Sequence, residues 1–212
     1  MSDIIVFGAG GRTGRTAVAE ALRRGHRVTA VVRDPAKYPD LADSDVRVVA
    51  GDVTDADAVA ELAAGHDAAV AAVYDPAAPV GDFFGRAVRA LLDGLTRAGV
   101  GRLVWVGLAS VLPTESGELL MDTPGYPQEY RAFFLAHAEG NAALSASQAG
   151  PEWVVLSPAG DFDHQGVRTG HHRVAPADAE SRVSYPDFAI ALLDEIDTPK
   201  LRGVHVGIED GR

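Results

Sequence analysis

Cysteine is absent from this chain of 212 residues. That excludes disulfides, a thiolate nucleophile and cysteine metal sites. No apolar run approaches the roughly 20 residues of a membrane helix. The chain opens directly into a strand pattern, without a charged n-region and a long apolar stretch, so no signal peptide is read and the cytoplasm is the expected compartment. Basic charge is also scarce. Nineteen Lys and Arg face 30 Asp and Glu, a formal net charge of −11. Nucleic acid and anionic membrane surfaces are therefore disfavoured as partners, because both would be repelled. A small anionic ligand is not excluded, since it feels local arginines more than the net charge.

What remains is ordinary for a globular protein: 47% hydrophobic and 23% charged residues. The length fits one domain. Short apolar runs alternate with helical patterns. Strands are expected at Asp3–Phe7, Arg27–Val32, Val46–Ala50, Asp67–Val73, Arg102–Val106, Trp153–Leu156 and Gly203–Gly207. Helices are expected over Thr13–Arg24, from Thr54 to Ala64, over Phe83–Ala98 and Gln128–Gln148, and over Pro186–Ile196. Thr54 to Asp57 reads as a capping box with aspartate in place of glutamate, and Pro186 suits a first helical position.

Strand–helix repeats with strands apolar on both faces imply an α/β fold: one doubly wound, mostly parallel sheet with helices on both faces. The expected strand order is 3-2-1-4-5-6, plus a seventh strand. Residues 112–127 and 158–185 fit no regular element. Both follow the carboxyl ends of strands, where ligands bind in such sheets, and are expected to form substrate loops.

Gly8, Gly11 and Gly14 form G-x-x-G-x-x-G between the first strand and the first helix, with Gly10 as an extra glycine. Such a loop lets backbone N–H groups approach a pyrophosphate, which then meets the positive end of the helix. Gly8, Gly11, Arg12, Thr13 and Gly14 are the expected contacts. An NAD site usually carries an acid at the end of the second strand, for the ribose hydroxyls. Here that strand ends Val31-Val32-Arg33-Asp34. Arg33 and Arg12 suit a ribose 2′-phosphate through charge-assisted contacts, so NADP(H) is expected before NAD(H). Asp34, turned inward, would favour NAD. Asp52, in Gly51-Asp52-Val53, suits either an adenine amine, with Val53 against the ring, or a cap on the next helix. Ala72 leaves room at the end of the fourth strand.

FGAGGRTG, VVRDP, GDVTD, VGLAS, the WVVLSP strand exit and VSYPDFAIALLDE occur in this order across nearly the whole chain. In these features the chain resembles the atypical short-chain dehydrogenases/reductases. Within them it is similar to the small NAD(P)H-binding group that includes flavin reductase/biliverdin-IXβ reductase-like proteins and NmrA-like redox sensors. The resemblance implies a Rossmann fold, an NADP(H) site and often hydride transfer. It also implies roles for Ser110, in the place of the family's active-site serine, and for His137, in the place of a histidine found in the small reductases. Those two are the expected catalytic residues.

The familiar Tyr-x-x-x-Lys pair is missing. Lys37 and Lys200 are the only lysines, and Arg33 and Ile196 stand four residues before them. Ordinary alcohol dehydrogenase chemistry is thereby disfavoured. Hydride transfer to a flavin-like or quinone-like acceptor asks less of the protein, which aligns two rings. The biliverdin-type proteins carry a second histidine after the sixth strand, where this chain reads Ser157-Pro158-Ala159-Gly160, so biliverdin itself is not implied. Tyr126, Phe162, His164 and Arg168 are the expected substrate-binding residues. The spacing of Asp161, Asp163, His164, His171 and His172 matches no zinc pattern, and no metal is expected. The expected activity is reduction of a small planar or conjugated acceptor by NADPH. The alternatives are a non-catalytic NADP(H) sensor or partner protein, and a tailoring ketoreductase or epimerase with non-standard residues. Nothing in the pattern specifies an oligomer.

Overall fold

A computed structural model describes residues 1–41, 45–79 and 81–212. Strand β1 (Asp3–Phe7) lies between β2 (Arg27–Val32) and β4 (Ala68–Ala71), parallel to both, with Ile5 opposite Thr29 on one side and Ala69 on the other. The other strands of this sheet are β3 (Val46–Ala50), β5 (Arg102–Val106), β6 (Glu152–Pro158), β8 (His172–Ala175) and β10 (His205–Asp210). Their order is β3-β2-β1-β4-β5-β6-β10-β8. The first six follow the expected order, and β10 is the seventh strand, parallel to β6. An eighth, β8, runs antiparallel to β10 at the edge.

β8 was not legible in the sequence. It comes from 158–185, together with β7 (Asp161–Asp163) and β9 (Arg182–Ser184), which pair parallel in a separate ribbon. Strands of three or four residues are too short for periodicity to reveal.

Successive residues of β1 serve opposite cores. Ile4 and Val6 face α1 (Arg12–Arg23) and α5 (Tyr185–Asp197), where Ala17, Val18, Phe188 and Leu192 cover them. Ile5 and Phe7 face α2 (Ala56–Ala63), α3 (Phe83–Ala98) and α4 (Arg131–Ser145), which contribute Val59, Leu91, Leu95 and Leu144. A strand alternates its side chains between the two faces, so an apolar strand demands helices on both.

Local chemistry moves several boundaries. α2 is capped by Asp55, whose carboxylate accepts from the N–H groups of Asp57 and Ala58, not by Thr54. α4 starts at Arg131, because the Gln128 side chain instead donates to the carbonyls of Met121 and Tyr126. α5 is capped by Ser184, with Pro186 in its first turn. β4 ends at Ala71, short of the expected Val73, although the Ala72 N–H still donates to the Phe7 carbonyl at 3.0 Å.

The two expected substrate loops are stitched together. Pro113 pairs with Leu119 inside the first, and Thr114 pairs with Ala177 of the second. The Ala177 N–H donates to the Pro113 carbonyl at 2.9 Å. Since the loops leave β5 and β6, they form one roof at the carboxyl end of the sheet. Among the described residues no helix is long and apolar enough to cross a membrane.

Candidate functional site

The glycine loop is tight for several reasons. Gly8 has φ +77°, and a Cβ on it would overlap the carbonyl oxygen of Ala72. A Cβ on Gly14 would overlap the carbonyl oxygen of Gly8, so α1 starts hard against the loop. At Gly10 the obstacle is the ring of Tyr38. Gly11 differs: the nearest atom to its absent Cβ is the Gly8 oxygen at 3.5 Å, with open space beyond. Gly11 is also the N-cap of α1 and supplies no side-chain bond. The first N–H groups of the helix, at Arg12, Thr13 and Gly14, therefore remain available to an anion. The bare backbone at Gly11 leaves room for a pyrophosphate to approach them, so this cradle fits a dinucleotide.

From this cradle a cleft of about 490 Å³ runs across the ends of β2 and β3. Gly8, Gly11, Arg33, Asp52, Val53 and Ala72 all line it. Asp52 does not cap α2. Its Oδ1 accepts from the N–H and hydroxyl of Thr54, both at 2.8 Å.

Arg12 and Arg33 do not converge on one phosphate as expected. Arg33 lies on the cleft wall and pairs with Asp75 at 2.7 Å. Arg12, as the first residue of α1, points to the segment after β6 and donates to His164 Nδ1 at 2.6 Å. Thr13 is absent from the wall, and its carbonyl accepts from Thr16 Oγ1. Asp34 does not turn inward. Its carboxylate accepts from the Ala36 N–H at 3.2 Å, off the wall. Tyr38, Tyr74, Asp75 and Arg86 line the cleft unforeseen. No spacing marks them: Tyr38, Tyr74 and Asp75 are brought in by the path of a loop, and Arg86 by the first turn of α3.

Beyond the cleft, Ser110 is 1% exposed and its Oγ lies 2.8 Å from the hydroxyl of Tyr126. The Tyr126 ring stands edge-on to Phe134, with centroids 5.6 Å apart. His137 shares no hydrogen bond with Ser110. Its ring lies against Phe84 and Phe133, at centroid distances of 3.7 and 4.9 Å. Burial, and secondarily the nearby His205, push its pKa down to about 3. His137, one of the two expected catalytic residues, is therefore neutral at pH 7 and holds no imidazolium proton to give.

One turn along α4, Asn141 donates to His205 Nδ1 at 3.2 Å, and His205 Nε2 meets Ser157 Oγ at 2.7 Å. A ring that accepts at Nδ1 carries its proton on Nε2. Burial holds the His205 pKa down at about 4.

The remaining expected residues divide. Phe162 stacks on Tyr185 at 4.1 Å and stands edge-on to Phe188. His164 sits between Arg12 and the Tyr185 hydroxyl. Arg168 is turned to α1, where Glu20 holds it at 3.3 Å. Burial raises the Glu20 pKa, but bonds from Arg23, Arg24 and Arg168 override it and hold the group at about 2. That demand for a third guanidinium draws Arg168 off the roof. Among the described residues no three His, Cys, Asp or Glu gather as a metal site would require.

The chain is 36% identical over 203 residues to the uncharacterized protein YwnB of Bacillus subtilis (strain 168), with 92% of each chain covered. It resembles the structure of a provisionally named epimerase from Bacteroides thetaiotaomicron, with a TM-score of 0.86 and 32% identity, covering 100% of this chain and 98% of that one. It also resembles SP1627 of Streptococcus pneumoniae TIGR4, provisionally named an NADH-flavin reductase, with a TM-score of 0.83 and 26% identity over 99% and 100% of the two chains. A family model described as NAD(P)H-binding matches residues 8–199. That span runs from the first glycine of the cradle to just past the end of α5, and the chain accordingly belongs to the NAD(P)H-binding family.

Proposed function

We propose that the protein is an NADPH-dependent reductase of a small planar or conjugated acceptor, of flavin or quinone type. The observation that carries this reading is the hydroxyl pair of Ser110 and Tyr126, 2.8 Å apart under the roof beyond the nucleotide cradle. A reduced nicotinamide supplies a hydride. The chain's own residues then bind, orient and protonate. The amides at Arg12 to Gly14 hold the pyrophosphate, with Gly11 bare beneath it. Arg33 faces a 2′-phosphate, and the withdrawal of Asp34 from the wall favours NADP over NAD.

Tyr126 is half-buried, and its phenol bonds the buried Ser110 hydroxyl. It donates its proton to the acceptor's heteroatom, and the Ser110 hydroxyl stabilises the oxygen left behind. His137 packs as a neutral ring against Phe84 and Phe133 and is given no proton to move. Phe162, beside Tyr185 and His164, closes the other side of the roof. The name of the Streptococcus pneumoniae relative supports a flavin-like acceptor. The cytoplasm, where NADPH is kept reduced, is the compartment this reading expects.

The test is a fluorescence titration with NADPH and NADH, followed by addition of FMN and then of quinones. Tight NADPH binding with oxidation above the protein-free control supports a reductase. Tight binding without oxidation by any acceptor points to a nucleotide sensor. No binding of either nucleotide sinks the reading.

A further inference from the structure

An ion pair stands on the cleft wall where the sequence promised only a cation. Arg33, at the end of β2, donates from Nη1 to Asp75 Oδ1 at 2.7 Å, and both residues line the cleft. Asp75 comes from another part of the sheet. It follows β4, which β1 separates from β2. Its side chain is 23% exposed and also accepts from the Ala77 N–H at 3.0 Å. The Arg33 side chain is 63% exposed. The carboxylate is thus the anchored member of the pair and the guanidinium the adaptable one.

We propose that Asp75 sets how strongly this site discriminates between nucleotides with a 2′-phosphate and those with a 2′-hydroxyl. The inference rests on reading Arg33 as the group that faces the ribose 2′ position. A 2′-phosphate must take the Arg33 guanidinium from Asp75, or share it, and comes within a few ångströms of a fixed like charge. A ribose with free hydroxyls meets no such opposition, because its O–H groups donate to a carboxylate. Asp75 therefore opposes NADPH and assists NADH, while Arg33 does the reverse. The preference of the site is the difference between two side chains that follow two different strands, β2 and β4. Asp75 takes over the place of the ribose-binding acid that Asp34, beside Arg33 in the chain, leaves empty.

The test titrates wild type, Asp75→Asn and Arg33→Ala with NADPH and NADH, and measures displacement by 2′,5′-ADP as a probe of the phosphate. Asparagine keeps the size of the side chain and the acceptor for Ala77. Asp75→Asn is expected to bind NADPH and 2′,5′-ADP about threefold to tenfold tighter, with NADH unchanged or weaker. Asp75→Ser is expected to shift in the same direction, and thermal melting checks that both variants fold. NADPH affinity that stays the same or falls in Asp75→Asn overturns the proposal and makes Asp75 a mere support for Arg33. Wild-type NADPH binding by Arg33→Ala is a separate failure, because it removes the NADP reading on which the proposal stands.

Discussion

Ser110 Oγ and Tyr126 Oη lie 2.8 Å apart although 16 residues separate them in the chain. Ser110 is fixed in a single turn of 3-10 helix after β5, and Tyr126 returns to it at the far end of the roof loop. Removing the phenol oxygen tests whether the pair moves a proton. Tyr126→Phe is expected to lower kcat by about tenfold to hundredfold, within the usual range for a general acid. The NADPH dissociation constant should stay unchanged, because Tyr126 is not on the nucleotide cleft. An equal loss in both quantities would mean that the substitution disturbed the roof.

Two glycines of one loop should fail differently. A side chain at Gly14 collides with the backbone of Gly8, so Gly14→Ala is expected to lower stability by about 1–3 kcal/mol, the usual cost of overpacking. Gly11 opens onto the cleft, with only the Gly8 oxygen at 3.5 Å nearby. Gly11→Val should keep a near wild-type melting temperature and lose nucleotide binding. Calorimetry and fluorescence titration on the same two variants check the contrast.

His137 and His205 predict acid sensitivity. Their folded pKa values, about 3 and about 4, lie below the ordinary 6.5. In the pH range between, the unfolded chain binds protons that the folded chain refuses. The stability they contribute is complete above pH 6.5 and is lost as pH falls toward 4. By pH 4 the loss should reach about 3 kcal/mol per histidine, because one proton bound only by the unfolded chain costs about 1.4 kcal/mol for each pH step. The buried carboxylate of Glu20, at about 2, adds its own loss only below the ordinary carboxylate range. Chemical denaturation between pH 7 and 4.5 measures the slope, and His205→Gln should flatten it. A stability independent of pH across that window would contradict the burial of both rings.

Arg168 separates the roof from its supports. Because Glu20 of α1 holds it, Arg168→Ala should leave the acceptor KM unchanged. It should cost about 1 kcal/mol or less in stability, as for a half-exposed ion pair. A rise in KM with unchanged stability would return Arg168 to the acceptor.

The sequence by itself determined the sheet and the cradle, because both are written in local code. Alternating cores over β1 need only the apolar run Ile4–Phe7. The glycine spacing from Gly8 to Gly14 follows from one turn meeting one helix, within seven consecutive residues. Tertiary structure alone decided where the charges went. Arg12 and Arg33 look equivalent in the chain, yet one meets His164 from beyond β6 and the other meets Asp75 from beyond β4. Arg168 looked like a substrate ligand until Glu20, 148 residues away, took it. Three-residue strands, ion pairs and hydroxyl contacts depend on which loops pass one another in space. No periodicity records that, since a long side chain takes the partner that the folded surface brings within reach.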